Sequence, residues 1–505
     1  MMQTVKLFFA TLLTGLLVCL NSVAIAEDDV RNSVVKIEVT EIRSSPLEPW
    51  KRTAPQESSG TGVIIKGDRI LTNAHVVGHA RSITVQPFGS DKKYTANVEA
   101  MAPGMDLALL QVEGDDFFDD RPALEFQDKL PAARSAVNAY GFPFGGTQIS
   151  VTEGIVSRVE FSAYYFEAMG LRIQIDAALN PGNSGGPAVS DGKLVGLVFS
   201  RISEGDNVGY LIPVNEIEMF LADIEDGSYD GKLKMPVSIQ TLENPFIRQK
   251  LKLSDDVGGA MVTSVELPPR DLSQPRLMPW DVITAIDGIA VDREGNVKLG
   301  EDNRVSLRYQ IQNVTDRNIV TFSIIRDGEA MDLDIELSTI LKRLAPYNHY
   351  DKPEYFIAGP MTFIPVSADI VRALSGSSRW TRWLSYYTSP LLTRGYQKIP
   401  SDSDEQLVVT GSGFLPHPMT KGYSETRYAT VKSVNGIEIG NLSQLVEVLR
   451  DCTEDFLVFE FQDKNVEKLV FPTKEFIEST EQVLDDNGIR RQGTKRFMEI
   501  WNAGD

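Results

Sequence analysis

The octet Asn180-Pro181-Gly182-Asn183-Ser184-Gly185-Gly186-Pro187 decides how the rest of the chain is read. A serine that attacks a carbonyl needs backbone N–H groups aimed at the developing oxyanion. Glycines on both sides of Ser184 give the turn that freedom, so Gly182, Asn183 and Ser184 are the candidate oxyanion hole. A plain surface turn uses the same residue types. The distinction rests on finding a base and an acid to orient it, because serine is a weak nucleophile until a neighbour takes its proton. The whole chain has four histidines, and its N-terminal half has His75 and His79. His75 lies in Arg69-Ile70-Leu71-Thr72-Asn73-Ala74-His75-Val76-Val77, where an apolar strand runs out and the imidazole can project into a cleft. His79, after Gly78, reads as an exposed loop residue. The orienting acid must be buried to fix the imidazole tautomer. That favours Asp106, which opens the apolar run Leu107-Ala108-Leu109-Leu110, over the solvated pair Asp115-Asp116.

His75, Asp106 and Ser184 fall in the chain order of chymotrypsin, not that of subtilisin or the α/β-hydrolases. Thr72-Asn73-Ala74-His75-Val76-Val77, Asp106-Leu107-Ala108-Leu109-Leu110 and Gly182-Asn183-Ser184-Gly185-Gly186-Pro187 together resemble the three signatures of the HtrA/Deg serine proteases. The resemblance implies a mostly β chain, with a chymotrypsin-like double β-barrel followed by two PDZ-like α+β domains. It implies an ATP-independent serine endopeptidase of protein quality control, assembled as a trimer or hexamer and acting on unfolded or damaged proteins. Small aliphatic P1 residues go with it, and Ala178, six residues before Ser184, offers no carboxylate to select a basic one. The substrate strand is expected along Val198-Phe199-Ser200-Arg201. A holdase chaperone and a PDZ scaffold with an inactive protease domain are the alternatives. General-base chemistry at His75 predicts loss of activity at acid pH.

Composition narrows the remaining classes. A chain of 505 residues, 42% hydrophobic and 24% charged, suits several globular domains. A net charge of −20 argues against nucleic acid or anionic membrane as partner, since phosphate binding relies on clustered Lys and Arg. No P-loop occurs and the histidines lack zinc-ligand spacing, so neither cofactor nor metal is expected. The N-terminus has Lys6, an apolar run from Leu7 to Leu20, and Ala24-Ile25-Ala26 before Glu27-Asp28-Asp29. This pattern predicts a secretory signal cleaved after Ala26, leaving no membrane anchor, with an uncleaved anchor as the rival reading. Cys19 leaves with that segment, so Cys452 remains alone and closes no disulfide within the chain. A short signal of this kind points to a bacterial periplasmic protein.

The expected boundaries are 1–26 for the signal, 27–228 for the protease domain, 232–342 and 345–478 for two PDZ-like domains, and 479–505 for a charged tail. Glycine-punctuated strands are predicted at Gly62–Ile65, Arg69–Thr72, Ser82–Gln86, Leu107–Val112, Ala136–Tyr140, Gly154–Val159, Arg172–Ile175 and Leu194–Phe199. The stretch Ser44 to Ser59 interrupts them, where the family carries a long regulatory loop; a passive insertion is the other reading. Farther on, Asp281–Val291 and Ala429–Ile439 echo each other as strand, Asp-Gly or Asn-Gly turn, and strand. Leu442 to Leu449 reads as a helix in the second copy. This order resembles PDZ domains, and Leu344–Tyr347, Tyr355–Met361 and Phe456–Phe461 resemble the plant Deg2/Deg9 type with its divergent second PDZ domain. Met235-Pro236-Val237 matches the loop that captures a peptide carboxylate in PDZ domains. Pro236 stands where the family usually has glycine and has no N–H to donate. Pro279-Trp280 likewise replaces a common glycine. Trp380, Trp383, Tyr386 and Tyr387 in 375–403 read as a packing surface between domains.

Overall fold

The computed structural model describes residues 30–201, 208–266, 274–300, 303–314, 318–424 and 426–503. The expected signal segment lies outside them. Strands β1 (Val34–Glu41), β2 (Gln56–Ile65), β3 (Arg69–Thr72), β4 (Ala80–Pro87), β5 (Tyr94–Ala102) and β6 (Leu107–Val112) close a barrel in the order β1-β2-β3-β6-β5-β4. Alternation of the side chains fills its interior with Val35, Ile37, Val39, Ile64, Ile70, Val85 and Leu110. A second barrel follows from β7 (Ala136–Gly141), β8 (Ser150–Ala163), β9 (Met169–Ile175), β10 (Pro187–Ser190), β11 (Lys193–Arg201) and β12 (Gly209–Pro213), in the order β10-β11-β12-β9-β8-β7. Each strand expected from the sequence lies within one of these twelve. One apolar cluster, with Val63, Leu71, Leu107 and Leu109 from the first barrel and Tyr140, Phe142, Leu197, Phe199 and Ile212 from the second, welds the two together. The cleft above this floor is where the candidate residues gather.

The first PDZ-like domain is a sheet of β13 (Val237–Thr241), β14 (Ala260–Val265), β15 (Val282–Ile286), β19 (Ile319–Arg326) and β20 (Glu329–Glu336), with β16 (Ile289–Ala290) paired to β15. A small hairpin, β17 (Asn296–Leu299) with β18 (Asn303–Ser306), leads into the helix Leu307–Gln312. At the β15–β16 turn Asp287 has φ 46° and Gly288 φ 76°, the left-handed pair that an Asp-Gly hairpin requires. Trp280 also adopts a positive φ, 78°, which accounts for the glycine usual at that place. Buried residues of this domain and of the second barrel form one continuous core.

In the second PDZ-like domain β21 (Phe356–Ala358), β22 (Met361–Pro365) and β23 (Val408–Thr410) make one sheet. A second contains β24 (Val431–Val434), β25 (Ile437–Glu438), β26 (Phe456–Phe461) and β27 (Leu469–Pro472). Asn435 and Gly436 repeat the left-handed pair at φ 49° and 77°. The helix Leu442–Arg450 lies where the sequence placed it. The segment after 478, expected as a charged tail, is instead part of this domain. Helix Thr473–Asp486 runs through the expected boundary, and helix Lys495–Asn502 buries Phe497 in the same core. Between them, Ile357 donates to the Gln492 carbonyl at 2.8 Å and Thr494 to that of Tyr355 at 3.1 Å, so the chain end joins the edge of β21. Trp380 and Trp383 pack into the domain's other cluster while Tyr386 remains 71% exposed.

Candidate active site

Strand β3 ends at Thr72, and the chain turns at once into the single helical turn Ala74–Val77 that carries His75. Asp106 follows a 3-10 turn at Pro103–Met105 and holds φ 57° before β6 begins, and its side chain meets the histidine turn. Its carboxylate is fully buried. Oδ2 lies 2.6 Å from His75 Nδ1, and Oδ1 accepts the His75 backbone N–H at 2.7 Å. The Asp106 carbonyl accepts from Asn73 Nδ2 at 3.0 Å and from the Ala74 amide at 3.1 Å. One aspartate thus fixes both the ring and the backbone of the histidine turn. Burial raises the Asp106 carboxyl above its ordinary range, and His75 opposes that rise by holding the ionised form.

The Ser184 loop is fastened from the other barrel. Gly185 donates to the Val198 carbonyl at 2.9 Å and Val198 to that of Gly186 at 2.8 Å, tying the octet to β11. Gly182 and Gly185 have φ of 101° and 82°. A Cβ on Gly185 would stand 2.2 Å from the Thr61 carbonyl and 2.3 Å from Thr72 Oγ1, so a side chain is excluded by space as well as by conformation. The loop therefore lies directly against β2 and β3, at the base of the histidine turn. Within it Asn183 donates to the Asn180 carbonyl at 3.0 Å. That engagement removes Asn183 from the expected oxyanion donors and leaves the amides of Gly182 and Ser184.

Two residues escaped the sequence reading. Thr61 is fully buried and joins both barrels at the site. Its amide donates to the Ser184 carbonyl at 2.9 Å, its hydroxyl donates to the Gly182 carbonyl at 2.7 Å, and the same oxygen accepts from the Phe142 amide at 3.0 Å. The signal was Gly60-Thr61-Gly62, a buried polar residue between glycines at the start of an apolar run. Tyr165, on the β8–β9 connection, sets its ring centroid 6.4 Å from that of His75 and 5.6 Å from that of Phe199, forming one wall of the cleft. Nothing in the local sequence marks it.

His79 is not the exposed loop residue expected. It is half-buried, its ring meets Tyr350 edge to face at 5.1 Å, and burial lowers its pKa. Strand β10 stops opposite Leu197, Val198 is taken by the octet, and a bulge at Phe199 breaks the pairing with β12 before Ser200 resumes it opposite Tyr210. The expected substrate-pairing run Phe199, Ser200 and Arg201 thus lies along an edge of β11 that β10 does not cover. In the PDZ loop, Met235 and Val237 are buried in the core, and the Pro236 carbonyl accepts from Glu266 at 2.8 Å. Among the described residues there is no cluster of three or more His, Cys, Asp or Glu that could hold a metal, and no helix is long and apolar enough to cross a membrane.

Comparison with known proteins agrees with this geometry. A trypsin-like peptidase domain model matches residues 60–197 and a PDZ domain model matches 345–495. Protease Do-like 4, mitochondrial, of Arabidopsis thaliana is 32% identical over 439 residues, covering 86% of this chain and 80% of the relative. The chain belongs to the HtrA/Deg serine protease family. Protease Do-like 2, chloroplastic, of the same plant is 35% identical over 442 residues, 86% of this chain and 70% of its own. A structure of a serine-to-alanine variant of the HtrA-type protease AlgW with a decapeptide superposes with a TM-score of 0.50 at 25% identity, covering 62% of this chain and 96% of its own. As an HtrA/Deg protein the chain is a serine endopeptidase with a double-barrel protease domain and PDZ architecture, similar to the plant Do-like proteases.

Proposed function

We propose that His75, Asp106 and Ser184 are the catalytic triad of this endopeptidase, and that it degrades unfolded or damaged proteins without ATP. The observation that carries the reading is the 2.6 Å contact between Asp106 and His75 on a turn that abuts the Ser184 loop. Asp106 holds the proton on Nδ1, so Nε2 is free to take the Ser184 hydroxyl proton. Ser184 Oγ then bonds to the scissile carbonyl carbon, and the carbonyl oxygen takes up charge facing the Gly182 and Ser184 amides. His75 returns the proton to the leaving amine as the C–N bond breaks. Water, deprotonated by the same imidazole, releases the acyl group and restores Ser184. The substrate would pair with the open edge at Phe199, Ser200 and Arg201, under Tyr165.

Homo-oligomers, trimer or hexamer, and secretion to a bacterial periplasm after cleavage behind Ala26 complete the proposal, on the family resemblance and the N-terminal pattern. The first PDZ-like domain serves assembly or binding of internal segments, because Pro236 withholds one amide from a peptide terminus. The test is digestion of an unfolded model protein, without ATP or metal, by the chain and by its Ser184→Ala variant. Cleavage by the parent alone is expected. Suppressed aggregation with no cleavage by either would transfer the assignment to a holdase chaperone.

A further inference from the structure

The β8–β9 connection gives one side chain to the cleft and the next two to the second PDZ-like domain. Tyr165 turns its ring toward His75 and Phe199, with centroids at 6.4 and 5.6 Å. Phe166 lies instead among the rings of Tyr347, His349 and Tyr350, at 5.3, 4.9 and 5.7 Å. Glu167 takes Arg343 at 2.6 Å and Lys398 at 3.9 Å. Phe166 and Glu167 hold left-handed φ of 51° and 63°, which close the tight turn between the two directions. At the base of the turn the Tyr164 amide donates to the Ala168 carbonyl at 2.7 Å and the Ala168 amide to that of Tyr165 at 2.9 Å, while the Tyr164 hydroxyl donates to the Leu171 carbonyl. The Tyr165 amide donates to the Gly104 carbonyl at 3.2 Å, in the turn that leads to Asp106. The backbone therefore cannot draw Tyr165 out of the cleft without breaking contacts to both domains.

Rings with centroids about 4.5–7 Å apart are in contact, so Tyr165 leaves no space for a large group between itself and His75. It is 40% exposed, and that open part faces whatever enters the cleft. The consequence for the substrate rests on the triad proposed above. A strand paired along Phe199, Ser200 and Arg201 sends alternate side chains to opposite faces. With the side chain of the residue that bears the scissile carbonyl directed to the floor beside Ser184, the preceding one is directed over His75, where the Tyr165 ring stands. An antiparallel ladder also pairs alternate residues, so this intervening position needs no N–H.

We propose that Tyr165 determines specificity at P2, the residue just before the one bearing the scissile carbonyl, admitting glycine, alanine and proline and excluding leucine, isoleucine and aromatic residues by collision. The test is digestion of β-casein and of reduced, alkylated α-lactalbumin by the full chain, with every cut mapped by mass spectrometry and the P2 residues counted against their abundance in the two proteins. The excluded residues should be depleted at P2 by about tenfold relative to the admitted ones. Tyr165→Ala should reduce that depletion to about twofold or less without changing the distribution at P1, a separation that a general loosening of the cleft would not produce. Tyr165→Phe, which keeps the ring, should retain the depletion. If Tyr165→Ala does not fold, Tyr165→Leu, which stays apolar against Phe199 but shortens the wall, carries the comparison. A parent with no P2 depletion, or depletion that survives loss of the ring, would overturn the inference while leaving the triad intact. Fluorophosphonate labelling of the parent reports on the triad separately: failure to label Ser184 would remove that reading and this inference with it.

Discussion

The histidine turn has two unlike neighbours. On one side Asp106 reaches His75 from 31 residues away, with its carboxylate sealed from water. On the other, Tyr350 comes from the start of the second PDZ-like domain and lays its ring on Gly78 and His79. Phe166, next to Tyr165 in the cleft wall, is held in the same way against Tyr347 and Tyr350, at 5.3 and 5.7 Å. The second domain also grips the early insertion, where Trp50 meets Tyr355 at 5.7 Å and Ser412 donates to Glu48 at 3.3 Å. The two sides teach a division of labour. The proposed triad is built by short motifs inside the barrels, whereas the distant domain contributes aromatic packing against the walls around it.

The comparison breaks most sharply at Asp106. Asp106→Asn should lower kcat/KM by about 10⁴-fold, because the amide presents the wrong tautomer to His75. A loss below tenfold, measured on a chromogenic peptide, would remove Asp106 from the mechanism. The same residue separates activity from stability along the pH axis. Its folded pKa lies above the ordinary value of 3.8, so its ionised form costs the fold stability. That cost is in force at neutral pH and is relieved as pH falls through the raised value toward the ordinary one. Activity should therefore fall toward acid pH while the Tm of the parent, taken relative to Asp106→Asn, rises. A relative Tm that dropped on acidification would show the sign to be wrong.

Thr61→Val comes next. It leaves the Gly182 carbonyl and the Phe142 amide without their hydroxyl, at a cost of about 1–3 kcal/mol in stability. The loosened loop should lose about 10- to 100-fold in kcat with little change in KM. Thr61→Ser, which keeps the hydroxyl, should recover most of the rate; equal loss in both variants would point to packing alone. On the far side, Tyr350→Ala should change peptide cleavage by only a few fold, since it touches no reacting group. A loss as deep as that of Asp106→Asn would erase the contrast between the two sides.

What the sequence disclosed follows the same divide. The Asp106–His75 contact and the Ser184 loop packed beside it were legible because each of these residues sits in a run of glycines or apolar residues whose purpose is local. Both hairpins of the PDZ-like domains were legible for the same reason, through Asp287-Gly288 and Asn435-Gly436. Thr61 was harder, because its role is a set of hydrogen bonds to residues 81 and 121 positions away. The chain end was harder still. Helix Lys495–Asn502 is charged on its outer face and shows its purpose only through Phe497, buried among residues of strands that lie far back in the sequence. Likewise the position of His79 depends on Tyr350, which no local pattern could supply.

The central claim is that Asp106 and His75 activate Ser184 as the nucleophile. Its most direct measurement is mass-spectrometric mapping of the adduct left by a fluorophosphonate, an agent that bonds to activated serine hydroxyls, on the parent and on Asp106→Asn. The account expects a single adduct on Ser184 in the parent, formed far more slowly in the variant. Labelling of another serine, or equal rates in the two chains, would contradict it.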